Sequence, residues 1–202
     1  MSNTAPHRHT QAEYLAMEAA SLEKHEFFEG TILAIAGGTV SHSLLKTNLT
    51  GAVVARLRGR PCRAFDADLR VRVPAATLST YPDLTVICGP IERDVEDRHA
   101  AVNPTVLFEV LSPATAAYDR GEKFDNYQPL PALRQYVLLD HTRPHVDVYT
   151  RLPSGGWERR GYGPGQSVPL SAIEVDLDVN ELYEGWAAER AIDEDKAAIP
   201  GS

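Results

Sequence analysis

The sequence predicts a single domain of the α/β (α+β) class, with helices packed on a β-sheet. Two apolar runs, 84–88 and 106–111, have the length and continuity of central strands covered on both faces. Leu45, Leu49, Val53 and Leu57 recur every fourth position, which makes the buried stripe of one long helix. Leu69, Val71 and Val73 alternate with Arg70 and Arg72, the period-two signature of a half-buried strand. With 202 residues, 43% of them hydrophobic and 24% charged, the chain can bury one sizeable core.

In chain order, residues 1–9 read as a disordered lead and the domain as 10–186. Thr10 and Glu13 form a T-x-x-E capping box for a short amphipathic helix carrying Tyr14, Leu15, Met17 and Leu22 and ending near Ser21. Residues 25–28 and 31–36 read as a hairpin turned at Glu29-Gly30, with Gly37-Gly38 closing its second strand. Ser41 is placed to cap the long helix, and Gly59 and Pro61 stop it. Pro74 ends the alternating strand. Between the two apolar strands, residues 91–100 read as a solvated turn or short helix.

After Ser112-Pro113 a helix is expected over 115–128 despite Gly121, until Pro129 and Pro131 stop it. Strands follow at 136–140 and 146–150, then a Ser154-Gly155-Gly156 turn and a strand near Trp157. From Ala187 to the end, an Ala-rich, charged segment reads as a frayed, flexible tail.

Composition excludes several classes. No apolar stretch approaches the roughly 18 residues of a membrane span, and the polar start has no signal-peptide core, so a cytoplasmic protein without a membrane partner is expected. Cys62 and Cys88 lack zinc or redox spacing and read as buried thiols. A formal charge of −8 argues against coating nucleic acid through the overall field, though it leaves local patches free.

The chemistry centres on a misfit. Glu109 interrupts the apolar strand 106–111 on the face of Leu107 and Leu111, and an ionised group there costs several kcal/mol unless a cation or strong donors compensate it. Pro82-Asp83 opens the preceding apolar strand, where a missing N–H is tolerated. If the two strands are neighbours, both carboxylates converge at one end of the sheet and can bind a hard divalent cation, magnesium by preference. Asp119, Lys123 and Tyr127 recur every four residues and line one helix face. A lysine there would balance the carboxylates and steady a phosphate or a water. Each feature has an ordinary alternative: Tyr81-Pro82-Asp83 is also a turn sequence, and Asp119 with Lys123 is also a surface pair.

The segments K-H-E-F-F-E-G at 24–30, His42, D-L-R-V-R-V at 68–73, Y-P-D-L-T-V-I-C at 81–88, E-V-L-S-P-A-T at 109–115 and D-R-G-E-K-F-D-N-Y at 119–127 together resemble the Uma-two family of putative restriction endonucleases. The resemblance runs from about Thr10 to Trp186. It implies the restriction-endonuclease-like fold of the PD-(D/E)XK nucleases, a mixed sheet flanked by helices. It also implies metal-dependent cleavage of DNA, with Asp83 and Glu109 as catalytic ligands of Mg2+ or Mn2+ and the Val110 carbonyl as a further ligand. The strand lysine usual in that superfamily is absent, because Leu111 occupies its position. The resemblance implies that Lys123, on the next helix, supplies the amine.

Glu26 and Asp68, in family-like segments, are candidate supports of the site, as are Asp119 and His42; each is equally compatible with a turn, surface or helix-start role. Arg56, Arg58, Arg60, Arg63, Arg70 and Arg72 lie close in sequence. Arg56, Arg58, Arg70 and Arg72 are the candidates for a phosphate-binding strip, the alternative being that they solvate a helix end and a strand. The leading reading is a DNA endonuclease. A fold-retaining binding or assembly domain without useful turnover is the second, and a two-carboxylate carbohydrate hydrolase is the weaker third, since it leaves Lys123 idle. Two sites are a simple way to cut two strands, which favours a homodimer without identifying its interface.

Overall fold

The computed structural model of the chain describes residues 7–35 and 37–197. Helix α1 (Gln11–Ala20) opens on the expected capping box: the Thr10 hydroxyl accepts the Glu13 N–H at 3.2 Å, and the Glu13 carboxylate accepts the Thr10 N–H at 2.7 Å. Leu22 lies past its end and is fully exposed, so it takes no part in the apolar face. Strands β1 (His25–Phe28) and β2 (Thr31–Ala34) form the hairpin. Glu29 and Gly30 both adopt positive φ, 45° and 86°, the geometry whose twist matches paired strands. Of the lead expected to be disordered, residues 1–6 lie outside the described residues. His9, however, donates its N–H to the Gly30 carbonyl at 2.8 Å, and a Cβ on Gly30 would sit 2.9 Å from Arg8 Cβ. The segment 8–9 is therefore packed on the hairpin turn.

Helix α2 (Val40–Leu57) is capped by Thr39, whose hydroxyl accepts the His42 N–H at 3.2 Å. Ser41, the expected cap, lies inside the helix. Beyond α2 come β3 (Cys62–Asp66), β4 (Arg70–Val73), β5 (Leu78–Thr80), β6 (Leu84–Cys88), the short β7 (Ala100–Ala101) and β8 (Val106–Val110). Helices α3 (Ala116–Arg120) and α4 (Glu122–Tyr127) follow. They replace the single helix expected over 115–128, because Gly121 leaves the helical region with φ −114° and ψ −100°. The chain closes with β9 (Gln135–Leu139), β10 (Val146–Arg151), β11 (Trp157–Tyr162), the hairpin of β12 (Ser167–Leu170) and β13 (Val175–Asp178), and helices α5 (Val179–Leu182) and α6 (Trp186–Ala197).

Three sheets result, in the orders β2-β1-β5-β4-β7, β11-β10-β9-β8-β6-β3 and β12-β13. The six-stranded sheet is mixed, since β8 and β9 run parallel while the other neighbours are antiparallel. Its two faces bury two cores. Phe108, Val110, Leu84 and Val86 meet the Leu45-Leu49-Val53-Leu57 stripe of α2 together with β12–β13 and α5. Leu107 and Leu111 point the other way, into a core shared with Phe124 and Tyr127 of α4 and Val71, Val73 and Leu78 of the five-stranded sheet. The central strands are thus covered on both faces, as their continuous apolar character requires.

Local readings needed correction where distant chain segments meet. Cys62 and Cys88 are register partners across β3 and β6 and form a disulfide, not two thiols; their sequence separation of 26 carried no pairing signal. The supposed frayed tail is helical to Ala197, in keeping with its Ala-rich composition. Buried Trp186 starts that helix, and Asp193 accepts the Ser41 N–H at 2.9 Å; residues 198–202 lie outside the described residues. The charged loop 91–100 is solvated along most of its length, as expected, but is also pinned, with Asp94 and Asp97 buried and Asp97 bonded to Arg70. No described helix is long and apolar enough to cross a membrane.

Candidate active site

The antiparallel register of β6 and β8 pairs Leu84 with Phe108, so Asp83 stands opposite Glu109 at one end of the sheet. Strand alternation does the rest. Phe108 and Val110 face α2, and Glu109 points with Leu107 and Leu111 toward α4. One oxygen of Asp83, Oδ2, accepts the Val110 N–H at 2.7 Å. The other, Oδ1, lies 2.7 Å from the Lys46 ammonium, which reaches around the sheet end from α2.

Glu109 is only 5% exposed. Its Oε1 takes the Lys123 ammonium at 2.9 Å and the Tyr127 hydroxyl at 3.0 Å. Lys123, equally buried, also approaches Glu26 Oε1 at 3.4 Å and Asp119 Oδ1 at 3.6 Å. Glu26 comes from β1 and is held by the Thr80 hydroxyl of β5, so the five-stranded sheet supplies one wall. The break at Gly121 leaves the helical i, i+4 relation of Asp119 and Lys123 intact.

Burial pushes the Glu109 carboxyl up to about 8, with Asp83 and Asp119 adding to the rise and Lys123 opposing it. Burial raises Asp119 as well, again against Lys123. For Lys123 burial works to lower the proton affinity, yet the surrounding groups, Glu109 first, win and hold it well above the usual lysine range. Lys123 is therefore an ammonium at neutral pH. Four carboxyl groups, Glu26, Asp83, Glu109 and Asp119, face two ammonium groups, Lys46 and Lys123. With all six ionised, the cluster lacks the positive charge of one divalent cation.

His42 also reaches this end of the sheet. Its Nε2 lies 2.8 Å from the Val110 carbonyl, and since a carbonyl only accepts, Nε2 carries the proton. A Cβ on Gly38 would lie 2.5 Å from His42 Nδ1, so the imidazole rests against bare backbone. Beside the carboxylates opens a groove of about 500 Å3 lined by Ser43, Lys46, Thr47, Asp66, Asp68 and Asp83. Asp68 lies on its exposed rim and pairs with Lys24.

Of the residues singled out in the sequence, Asp83, Glu109, Val110, Lys123, Asp119, Glu26 and His42 meet at one place. The arginines do not form a strip. Arg56 donates to Glu181 at 3.0 Å on the far part of α2, near the exposed Arg58. Arg70 is enclosed with Asp97, Glu18 and Tyr81. Arg72 is 6% exposed and donates to the Leu78 carbonyl at 3.0 Å. Alternation in β4 marks two faces of a strand but not that both are covered. Lys46 was missed, because a lysine on a helix's polar side looks like any other; its spacing of four from His42 was the available signal.

The model of the family Uma2, described as putative restriction endonuclease, matches residues 11–180. The chain belongs to the Uma2 family. Two uncharacterized proteins of Synechocystis sp. are similar to this Uma2 chain. The protein slr1290 is 35% identical over 175 residues, covering 87% of this chain and 91% of the relative. The protein sll1609 is 32% identical over 148 residues, covering 73% and 84%. Among solved structures, the crystal structure of a putative nuclease belonging to DUF820, from Anabaena variabilis, superposes with a TM-score of 0.69. It is 21% identical and covers 86% of this chain and 98% of that one. This Uma2 chain thus shares the fold of that structure, a mixed sheet flanked by helices in one α+β domain.

The donor set suits a hard divalent cation: two carboxylates and one peptide carbonyl at one sheet end, all oxygen. Asp83, Glu109 and the Val110 carbonyl are the groups that could hold it. Each has a resident partner in the protein, Lys46, Lys123 and His42 respectively. A carbonyl has two lone pairs, so the His42 contact leaves Val110 able to serve.

Proposed function

We propose that the protein is a divalent-metal-dependent endonuclease that hydrolyses DNA phosphodiester bonds, with Asp83, Glu109 and the Val110 carbonyl holding Mg2+ or Mn2+. The observation that carries this reading is the convergence of four carboxyl groups on only two ammonium groups, most of it buried at one end of a sheet. Structural ion pairs balance their charge; fully ionised, this cluster is short of two positive charges, and a divalent cation would supply them and displace the proton that burial keeps on Glu109. The bound cation would supply charge neutralisation at the phosphate and a more acidic water.

The chain's own groups have separable tasks. Lys123, held charged by Glu109, Glu26 and Asp119, donates hydrogen bonds to the water or phosphate oxygen and does not act as a base. Tyr127 fixes the orientation of the Glu109 carboxylate. The Val110 N–H fixes Asp83, and His42 fixes the carbonyl of the same residue. The missing strand lysine is replaced in space by one arriving from α4.

Supercoiled plasmid incubated with the protein and Mg2+ or Mn2+ should be nicked or linearised, and EDTA should stop it. Asp83→Ala and Glu109→Ala should be inactive; cleavage surviving in both would sink the site assignment. Metal binding without cleavage of plasmid or RNA would select the second reading, a binding module whose site keeps its resident lysines.

Alanine at Gly38 should displace His42 from Val110, because the new methyl would lie 2.5 Å from Nδ1. The expected result is a loss of about 10–100-fold in metal affinity or cleavage with the fold kept. Wild-type activity in that variant would show the His42 contact to be dispensable.

A further inference from the structure

We infer that Lys46 is a built-in stand-in for the divalent cation, holding Asp83 Oδ1 while the site is unloaded and yielding that oxygen when the cation enters. The inference rests on the metal-dependent reading above and adds a residue that sets how tightly the metal binds. Asp83 has two oxygens, and Oδ2 is committed to the Val110 N–H at 2.7 Å, a contact between backbone and side chain that the strand pairing keeps in place. Oδ1 carries no backbone donor and is the more open of the two oxygens, and the Lys46 ammonium is 2.7 Å from it. A cation bound to that oxygen would stand against the ammonium at a separation where like charges repel strongly. One of the two must leave.

The two lysines of the cluster differ in whether they can. Lys123 has a side chain 7% exposed and three carboxylates around it, so it is locked. The side chain of Lys46 is 32% exposed and has one carboxylate partner. It lines the open groove, where Asp66 and the hydroxyls of Ser43 and Thr47 offer its ammonium another place to rest. Partly open to water on its lysine side, this pair is screened more than the buried contacts of Lys123, so exchanging it costs less. Lys46 thus neutralises Asp83 without closing the site.

A purely structural Lys46, a strut from α2 to β6, predicts the opposite response to its removal, and metal affinity separates the two. Mn2+ would be titrated into the full chain, followed by calorimetry and by the electron paramagnetic resonance of free Mn2+, for wild type, Lys46→Met, Lys46→Gln, Lys46→Arg and Asp83→Asn. A second group, His7, His9 and Glu13, whose ligand atoms lie within 4.8 Å of one another, could also take Mn2+, so Asp83→Asn sets the baseline. Above that baseline, Lys46→Met and Lys46→Gln should bind Mn2+ about tenfold or more tightly than wild type, and Lys46→Arg should stay as weak as wild type.

Equal or weaker binding by both neutral variants, with unchanged circular dichroism, would overturn the inference and leave the metal site standing. Wild-type binding that survives Asp83→Asn in full, or no binding by any variant, would remove the metal site and the inference with it.

Discussion

Replacing Lys123 with methionine should destabilise the folded protein by about 3–5 kcal/mol, the scale for removing one partner of a buried ion pair, and should abolish cleavage. The cost arises because the ammonium is the shared counter-charge of Glu109, Glu26 and Asp119. Without it, three carboxyl groups crowd a region where Glu109 and Asp119 are almost out of water. Urea unfolding measures the loss. The double variant Lys123→Met with Glu109→Leu should recover much of that stability, since exchanging a buried pair for apolar groups is often neutral or better, and should remain inactive. A single variant as stable as wild type would mean that the carboxyl groups are held protonated without the lysine.

Glu109→Gln should lower metal-dependent cleavage by on the order of 100- to 1000-fold, the scale for losing one preorganised charge-stabilising group, and it should also change the pH dependence of stability. In the metal-free protein burial pushes Glu109 up to about 8 from an ordinary 4.5. Between those values the folded state holds a proton that the unfolded chain has released. The stabilising contribution of that proton is therefore complete below about 4.5 and is lost as pH rises through about 8. Unfolding free energy measured from pH 4.5 to 8.5 should fall more steeply in wild type than in Glu109→Gln, whose amide does not titrate. Cleavage should run the other way in wild type, rising over the same window as the carboxylate becomes available to the metal. Parallel stability curves for the two proteins would refute the assignment of this titration to Glu109.

Much of the site was legible because strands print their faces into sequence. An acid at every-other-residue spacing with Leu107 and Leu111 had to enter a core, and a Pro-Asp pair at a strand start had to sit at a sheet end. Lys123 was legible as a member of the Asp119-Lys123-Tyr127 helix face, but that i, i+4 relation fits a surface pair equally well, and the family resemblance was needed to put it in the place of the missing strand lysine. What stayed hidden depends on contacts between distant segments. Register joined Cys62 to Cys88, and the loop acid Asp97 captured Arg70. Arg72 is buried near the same loop's Asp94 and donates to the Leu78 carbonyl. Lys46 was overlooked for a different reason: its spacing of four from His42 marks a shared helix face, but nothing on α2 announces that this face overhangs the end of β6.

The wall supplied by Glu26 and Thr80 bears on when a newly made chain could cut. Synthesis releases the β1–β2 hairpin first, the acid-bearing strands next and Lys123 after them, and only docking of the early hairpin against the late α4 brings Glu26 to Lys123. Until then no half of the polypeptide owns a complete set of groups. On the proposed nuclease reading, cleavage would thereby be tied to completion of the fold, and a chain cut short before α4 would carry the proposed metal ligands without Lys123.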